Sequence, residues 1–415
     1  MRPLWPLVSL ALSCGGDRAV DCATAAAFTA CEMEDSEGIC LEGACTGLAA
    51  CDAACEAGVT FPLPDTGLRD CFGPVDGPIV CPGEAGAATC AETAGCGQDA
   101  QYGWDTTHDR AERFAVVDPT GERVVTDTLT GLVWQGCALG QGPGCAGEST
   151  RSPWAEAAAA CEASTWGGHD DWVLPDVYAA STIADYGFTS PAIDRDAFPN
   201  APSRVAGDDE AWWKDCAWTA TDSADAADVA WGVMANSGDV LLGSGVPYHA
   251  HDKAAAGWDG CDARCVRARP GPTHARHATF DVAGERLVVD TYAQRTWQAC
   301  SVGQTGPDCV GEAAQLPWPD ALAACEASTW GGHDDWRLPS VLELRSLVDV
   351  RFTRPAIEPT LFPNTPFYDG LDNLRGQYWS STARGYQTFA LYVSFHDGGS
   401  HFYRQEEGRH VRCVR

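Results

Sequence analysis

Positive charge is scarce in this chain. Its 415 residues include 27 Lys and Arg against 58 Asp and Glu, a formal net charge of −31. So acidic a balance argues against nucleic acid or an anionic membrane surface as a partner. Long apolar runs are also missing: beyond a short N-terminal stretch, nothing approaches the ~20 residues that a membrane-spanning helix needs. No Gly-x-Ser-x-Gly, His-Glu-x-x-His or phosphate-binding loop occurs, so none of the common nucleophile, metalloprotease or nucleotide signatures applies. Paired Cys-x-x-Cys knuckles are absent, which disfavours structural zinc. No catalytic residue, cofactor or metal site is expected.

Cysteine is what the chain has in quantity, 21 in all. Met1-Arg2, a short apolar stretch from Leu4 to Leu12 and small residues before Cys14 describe a secretory signal over residues 1–13. The Cys just after the cut resembles a bacterial lipobox, in which Cys14 would become the acylated first residue; an ordinary signal peptide with Cys14 unmodified is the alternative. Setting Cys14 aside leaves ten Cys before residue 97, six between 137 and 265 and four between 300 and 413. Even numbers in each region suit separately stapled domains in an oxidising compartment. The expected location is therefore extracytoplasmic, at the outer membrane or cell surface, with the membrane reached only through a lipid anchor.

The twelve residues from Cys161 to Trp172 recur unchanged from Cys325 to Trp336, a period of 164. Solenoid repeats run roughly 20–50 residues, so these are two whole domains of one fold. Residues 14–60 read as a Cys-rich stalk, 61–107 as a loop-rich linker, 108–269 as the first repeat and 274–415 as the second. From Gly271 onward there are 13 Arg, no Lys and 17 acidic residues, a net of −4, so the preceding 270 residues carry −27. Only the second repeat has a field that tolerates an anionic ligand.

Each repeat opens with strand-and-turn text: Phe114–Pro119, Val124–Asp127 and Thr130–Trp134 in the first, Thr279–Val282, Leu287–Asp290 and Thr296–Gln298 in the second. A helix is predicted over Ala155–Cys161, with Ser152 as N-cap and Pro153 in the first turn, and another over Pro317–Cys325. Second helices start near Pro175 and Pro339, the clearer one spanning Val341–Val348. A long irregular section from Pro355 to Asn373 follows. Strands at Tyr378–Thr382, Phe389–Phe395 and Gly408–Arg415 close the domain. This order makes each repeat an α+β domain whose first and last strands lie close together.

The order is similar to the C-type-lectin-like fold. That resemblance implies a disulfide from the end of the first helix to the last strand, Cys161–Cys265 and Cys325–Cys413. Cys137/Cys145 and Cys300/Cys309 remain as a short-loop pair in each copy, and Cys216/Cys261, present only in the first, are expected to bond to each other. More narrowly, Thr130-Gly131-Leu132-Val133-Trp134-Gln135, Asp335-Trp336-Arg337-Leu338-Pro339, Glu343-Leu344, Tyr378-Trp379-Ser380-Ser381-Thr382 and Val411-Arg412-Cys413-Val414-Arg415 resemble the C-terminal domain of the Legionella collagen-like protein. The segments Phe61–Gly67 and Gly97–Tyr102 resemble text found before such domains. The resemblance implies an exported, non-catalytic surface domain, an adhesin for sulfated polysaccharide in the founding protein. The expected partner is a polysaccharide or a surface protein. Two alternatives compete: a formylglycine-generating-enzyme-like oxidoreductase, whose reactive thiols would have to be Cys216 and Cys261, and a structural envelope protein that binds other proteins.

Several residues are candidates for chemistry. His169-Asp170-Asp171 and His333-Asp334-Asp335 look metal-like, but three adjacent residues supply only part of a calcium shell. A Gly-Gly turn with Asp side chains on backbone amides is the plainer reading. Arg337 and Glu343 become Val173 and Ala179 in the first repeat. Their joint loss marks a structural ion pair, since removing one partner alone strands a buried charge. Trp379, Ser380 and Ser381, with Arg384 and Arg404, are the candidate ligand-binding residues, although Trp in a strand is more often core. Arg345, Arg351, Arg354, Arg375, Arg384, Arg404 and Arg409 could form an anion-binding face. A solvated surface balanced by Asp and Glu is the alternative.

Overall fold

Alternating β-branched and aromatic residues separated by tight turns build the same three-stranded meander at the start of both repeats. In the computed structural model, which describes residues 113–188, 192–202, 216–222, 227–234, 240–241, 253–254, 260–267, 276–367, 376–383 and 388–415 and shorter pieces between 30 and 102, the first meander is β6 (Phe114–Val117), β7 (Val124–Asp127) and β8 (Val133–Gln135). Before it lie short antiparallel pieces: β1 (Ala30–Met33), β2 (Ser36–Leu41) and β3 (Ala44–Gly47), then β4 (Cys71–Phe72) and β5 (Pro78–Ile79). The register sets Val116 opposite Val125 and Val125 opposite Trp134, so one face buries Val125 and Trp134 completely. The meander is closed at its open end by a buried ion pair, Arg113 to Asp127 at 2.8 Å.

The helix that follows, α1 (Trp154–Glu162), starts after Pro153 and has no side-chain cap. Ser152 is therefore not its N-cap: its backbone bridges to Cys261 and its carbonyl accepts from Trp218 Nε1 at 2.8 Å. β9 (Trp172–Val173) leads to α2 (Val177–Thr182), capped by Asp176, which accepts from the Ala179 amide at 2.7 Å. A second sheet joins β10 (Cys216–Asp222), β11 (Ala230–Met234) and β12 (Val240–Leu241). The chain returns as β13 (Val266–Arg267), where Val266 lies between Trp134 of β8 and Val173 of β9. First and last strands thus share one five-stranded sheet.

The second repeat retraces this path with β14 (His277–Val282), β15 (Glu285–Asp290), β16 (Arg295–Gln298), α3 (Trp318–Glu326) and α4 (Val341–Arg345). Its second sheet is β17 (Gln377–Ala383), β18 (Phe389–Ser394) and β19 (Ser400–Arg404). Three sequence expectations differ here, the first being that α4 stops at Arg345 instead of running to Val348. The strand predicted over Gly408–Arg415 is reduced to single bridges, with Val414 between Trp297 and Arg337. β19 was not anticipated, because half-exposed Ser-His-Phe-Tyr-Arg lacks an apolar alternation. The architecture is mixed helix and sheet, with few helices and several small sheets.

Sulfur joins the ends of each copy. Cys161–Cys265 and Cys325–Cys413 tie the end of the first helix to the terminal segment, with Cα separations of 5.6 and 5.5 Å. Cys137–Cys145, Cys300–Cys309 and Cys216–Cys261 close shorter loops. Around each long staple the same core is built twice: Trp172 and Trp218 with Cys161 and Cys265, Trp336 and Trp379 with Cys325 and Cys413. A further cluster is shared by both copies. There the equivalent helices α2 and α4 line one junction, the Tyr178 hydroxyl donates to the Val348 carbonyl, and Leu63 of the linker inserts beside them. No helix among the described residues is long and apolar enough to cross a membrane.

Candidate functional site

Glu343 sits in the first turn of α4, where its backbone amide is bonded by Ser340 and its carboxylate reaches back to the Ser340 amide at 2.9 Å. The same carboxylate receives the fork of Arg337, at 2.7 and 2.6 Å, and Arg295 Nε at 2.5 Å. Glu343 is 1% exposed. Burial alone would raise its carboxyl, but the two guanidiniums outweigh that and hold it down to about 2. The ion pair expected from Arg337 and Glu343 is therefore one edge of a triad. The hairpin register puts Leu132 at the place of Arg295, so all three charges are replaced together by Leu132, Val173 and Ala179. With Glu343 buried and both guanidiniums mostly covered, this group is a structural centre.

Beside it lies Asp99, carried in by the segment read as a linker. Its Oδ2 accepts from Thr66 at 2.6 Å and from Thr382 at 2.8 Å, and Thr382 in turn bonds the Val341 amide. Burial pushes the Asp99 carboxyl up to about 6 against the pull of those hydroxyls. The Thr66 carbonyl also accepts from the Tyr186 amide at 2.7 Å. The segments containing Thr66 and Asp99 are thus part of the folded core.

Among the described residues, the candidate ligand-binding side chains form no open site. Trp379, Ser380 and Ser381 are buried to within 1% exposure. Trp379 Nε1 donates to Leu316, Ser380 donates to Leu391, and the Arg409 guanidinium covers the Trp379 ring at 4.5 Å. A ring with no open face cannot stack on a sugar, so Trp379 is a core residue, the plainer of the two sequence readings. Arg404 is exposed, 3.7 Å from Glu406, while Arg384 falls outside the described residues, as do Arg375 and Cys14. Of the described arginines considered for an anion-binding face, Arg345 and Arg409 are buried and Arg351 is held by Asp349 at 2.6 Å, which leaves Arg354 and Arg404 exposed.

The two His-Asp-Asp segments follow glycine turns, with Gly167 at φ +65 and Gly331 at φ +62. Their last carboxylates bond arginines of the terminal segment, Asp171 to Arg267 and Asp335 to Arg415, each at 2.8 Å. Among the described residues no cluster of His, Cys, Asp or Glu is arranged to hold a metal ion. Cys216 and Cys261, the thiols that the oxidoreductase alternative required, are bonded to each other and buried.

The feature that sequence reading missed is a hollow in the first repeat. It spans about 670 Å³ when the open solvent at its mouth is counted. Trp134, Pro175, Ile183, Ile193, Trp218 and Val233 form apolar walls, and Asp262 and Arg264 contribute the charged groups. Arg264 Nη1 donates to the carbonyls of Gln135 and Gly136 at 2.9 and 2.6 Å, and its guanidinium lies 4.8 Å from the Phe198 ring. Burial lowers its pKa to about 10, against the opposing pull of Asp262. The signal was present in the repeat comparison, as a run of small residues at Ala138, Ala180, Ala217 and Ala263.

No curated protein matches the chain. A family model described as the Lcl C-terminal domain matches it twice, over residues 123–254 and 286–415, together more than half its length.

Proposed function

From its membership of the Lcl C-terminal domain family, to which this chain belongs through two tandem copies, we propose a non-catalytic protein of the cell exterior that binds a surface polysaccharide. Each copy is read as a C-type-lectin-like module, lipid-anchored through Cys14 at the outer membrane or cell surface. The observation that carries this reading is the sulfur chemistry. Five disulfides staple residues 137–413, and such bridges persist outside the reducing cytosol. Staples from first helix to terminal segment fix the scaffold while leaving its loops free to carry recognition.

Arg351 and Arg404 of the second copy lie beside Asp349 and Glu406, whereas Arg354 is exposed, so neutral and sulfated chains are both candidates. The test is a glycan array of neutral and sulfated polysaccharides probed with the full-length oxidised protein. Saturable binding to at least one polysaccharide is expected. Failure to bind any polysaccharide removes the lectin reading.

A further inference from the structure

Ala217 and Tyr378 hold the same place in the two copies. Each makes a parallel bridge to the residue three before the terminal Cys, Ala217 to Asp262 and Tyr378 to His410. In the second copy the Tyr378 ring is fully buried, edge-on to Phe395 at 5.0 Å, with its hydroxyl bonded to Ser301 at 2.6 Å. Arg412 lies 5.6 Å from the ring centroid. In the first copy the ring is cut to a methyl, and matching backbone hydrogen bonds align Ser301 with Ala138 and Val411 with Ala263. These truncations line the hollow. Deleting buried volume leaves a cavity that destabilises a fold unless something occupies it.

Asp262 is the second, independent observation. It lines the hollow at 4% exposure, and its Oδ1 has no hydrogen-bond partner. Its Oδ2 is 3.5 Å from Arg151. A buried acceptor left unmade is costly, and a donor from a bound molecule would satisfy it. Trp134 Nε1 also lacks a partner, but so does Trp297 Nε1 at the equivalent position, so that feature belongs to the fold and not to the hollow.

We propose that the hollow of the first copy binds one small hydroxylated aromatic ring, a phenol or catechol, where the second copy seats its own Tyr378. The ring fills the apolar space between Trp134, Trp218 and Ile193. One hydroxyl lies beside Arg264 as that of Tyr378 lies beside Arg412, and a hydroxyl donates to Asp262 Oδ1. A benzene-like molecule without a donor leaves Asp262 unsatisfied and binds less well. The site does not depend on the polysaccharide reading, and its test is separate from that one.

Full-length oxidised protein is titrated with catechol, phenol and toluene by calorimetry and ligand-observed NMR, alongside Ala217→Tyr and Asp262→Ala. Catechol is expected to bind saturably at one per chain, about tenfold or more tighter than toluene. Ala217→Tyr is expected to abolish binding by refilling the space, and Asp262→Ala to bring catechol down to the affinity of toluene. No saturable binding by the unmodified protein overturns the proposal, as does equal affinity for catechol and toluene. Should Ala217→Tyr not fold, unchanged catechol affinity in Asp262→Ala overturns it equally.

Discussion

Removing the Glu343 carboxylate leaves two largely covered guanidiniums, Arg295 and Arg337, without their counter-charge. Glu343→Gln is expected to cost about 3–5 kcal/mol, whereas the triple change Arg295→Leu, Arg337→Val, Glu343→Ala, which copies the first repeat, is expected to cost far less or to stabilise. Urea unfolding of both variants measures the contrast. The pair was legible in sequence because both partners vanish together in the other copy. Arg295 was not, since its counterpart Leu132 lies in the opening hairpin, away from the duplicated segment that fixed the alignment. Two carboxyls give opposite pH dependences. Glu343, held down to about 2 from 4.5, contributes stability that is present above pH ~4.5 and lost as pH falls toward 2. Asp99, raised from 3.8 to about 6, contributes stability that is present below pH ~4 and lost as pH rises through 6. Asp99→Asn keeps an acceptor for Thr66 and Thr382 and removes the titration. It is expected to gain on the order of 2–3 kcal/mol relative to the parent between pH 4 and 7, read from unfolding curves across that range.

The elements most readable in the sequence were those whose local chemistry agrees with their surroundings. The opening strands alternate cleanly, and α1 and α3 follow a proline and end one residue past a cysteine. The terminal segment was misjudged as a full strand because Val411, Val414 and the buried arginines read as β text, yet only single bridges form. What holds it is covalent. The Cys325–Cys413 disulfide closes 88 residues, so Cys325→Ala with Cys413→Ala is expected to lower stability by about 2–5 kcal/mol, seen as a drop in Tm without reductant. Trp379 was read as a candidate sugar platform because strand residues give no sign of which face is covered. Here Arg409 and the core take both.

At the scale of the molecule, the sequence announced two domains but not how they meet. Val177, Tyr178, Leu342 and Val348 look like ordinary core residues in one dimension, and only in the fold do they close a shared junction. Gly398 marks how tight that junction is: at φ +86, an added Cβ would come within 2.7 Å of the Trp231 ring in the other copy. Gly398→Ala is expected to cost about 1–3 kcal/mol and to split one calorimetric transition into two. A parent protein that already unfolds in two separate steps would contradict the shared core.

One fold, present twice, is closed in each copy by sulfur. Peptide mapping of the unreduced, full-length protein by mass spectrometry is its most direct test. Cross-linked peptides joining Cys161 to Cys265, Cys325 to Cys413 and Cys216 to Cys261 are predicted. Free thiols at these positions, or bridges linking one copy to the other, would contradict it.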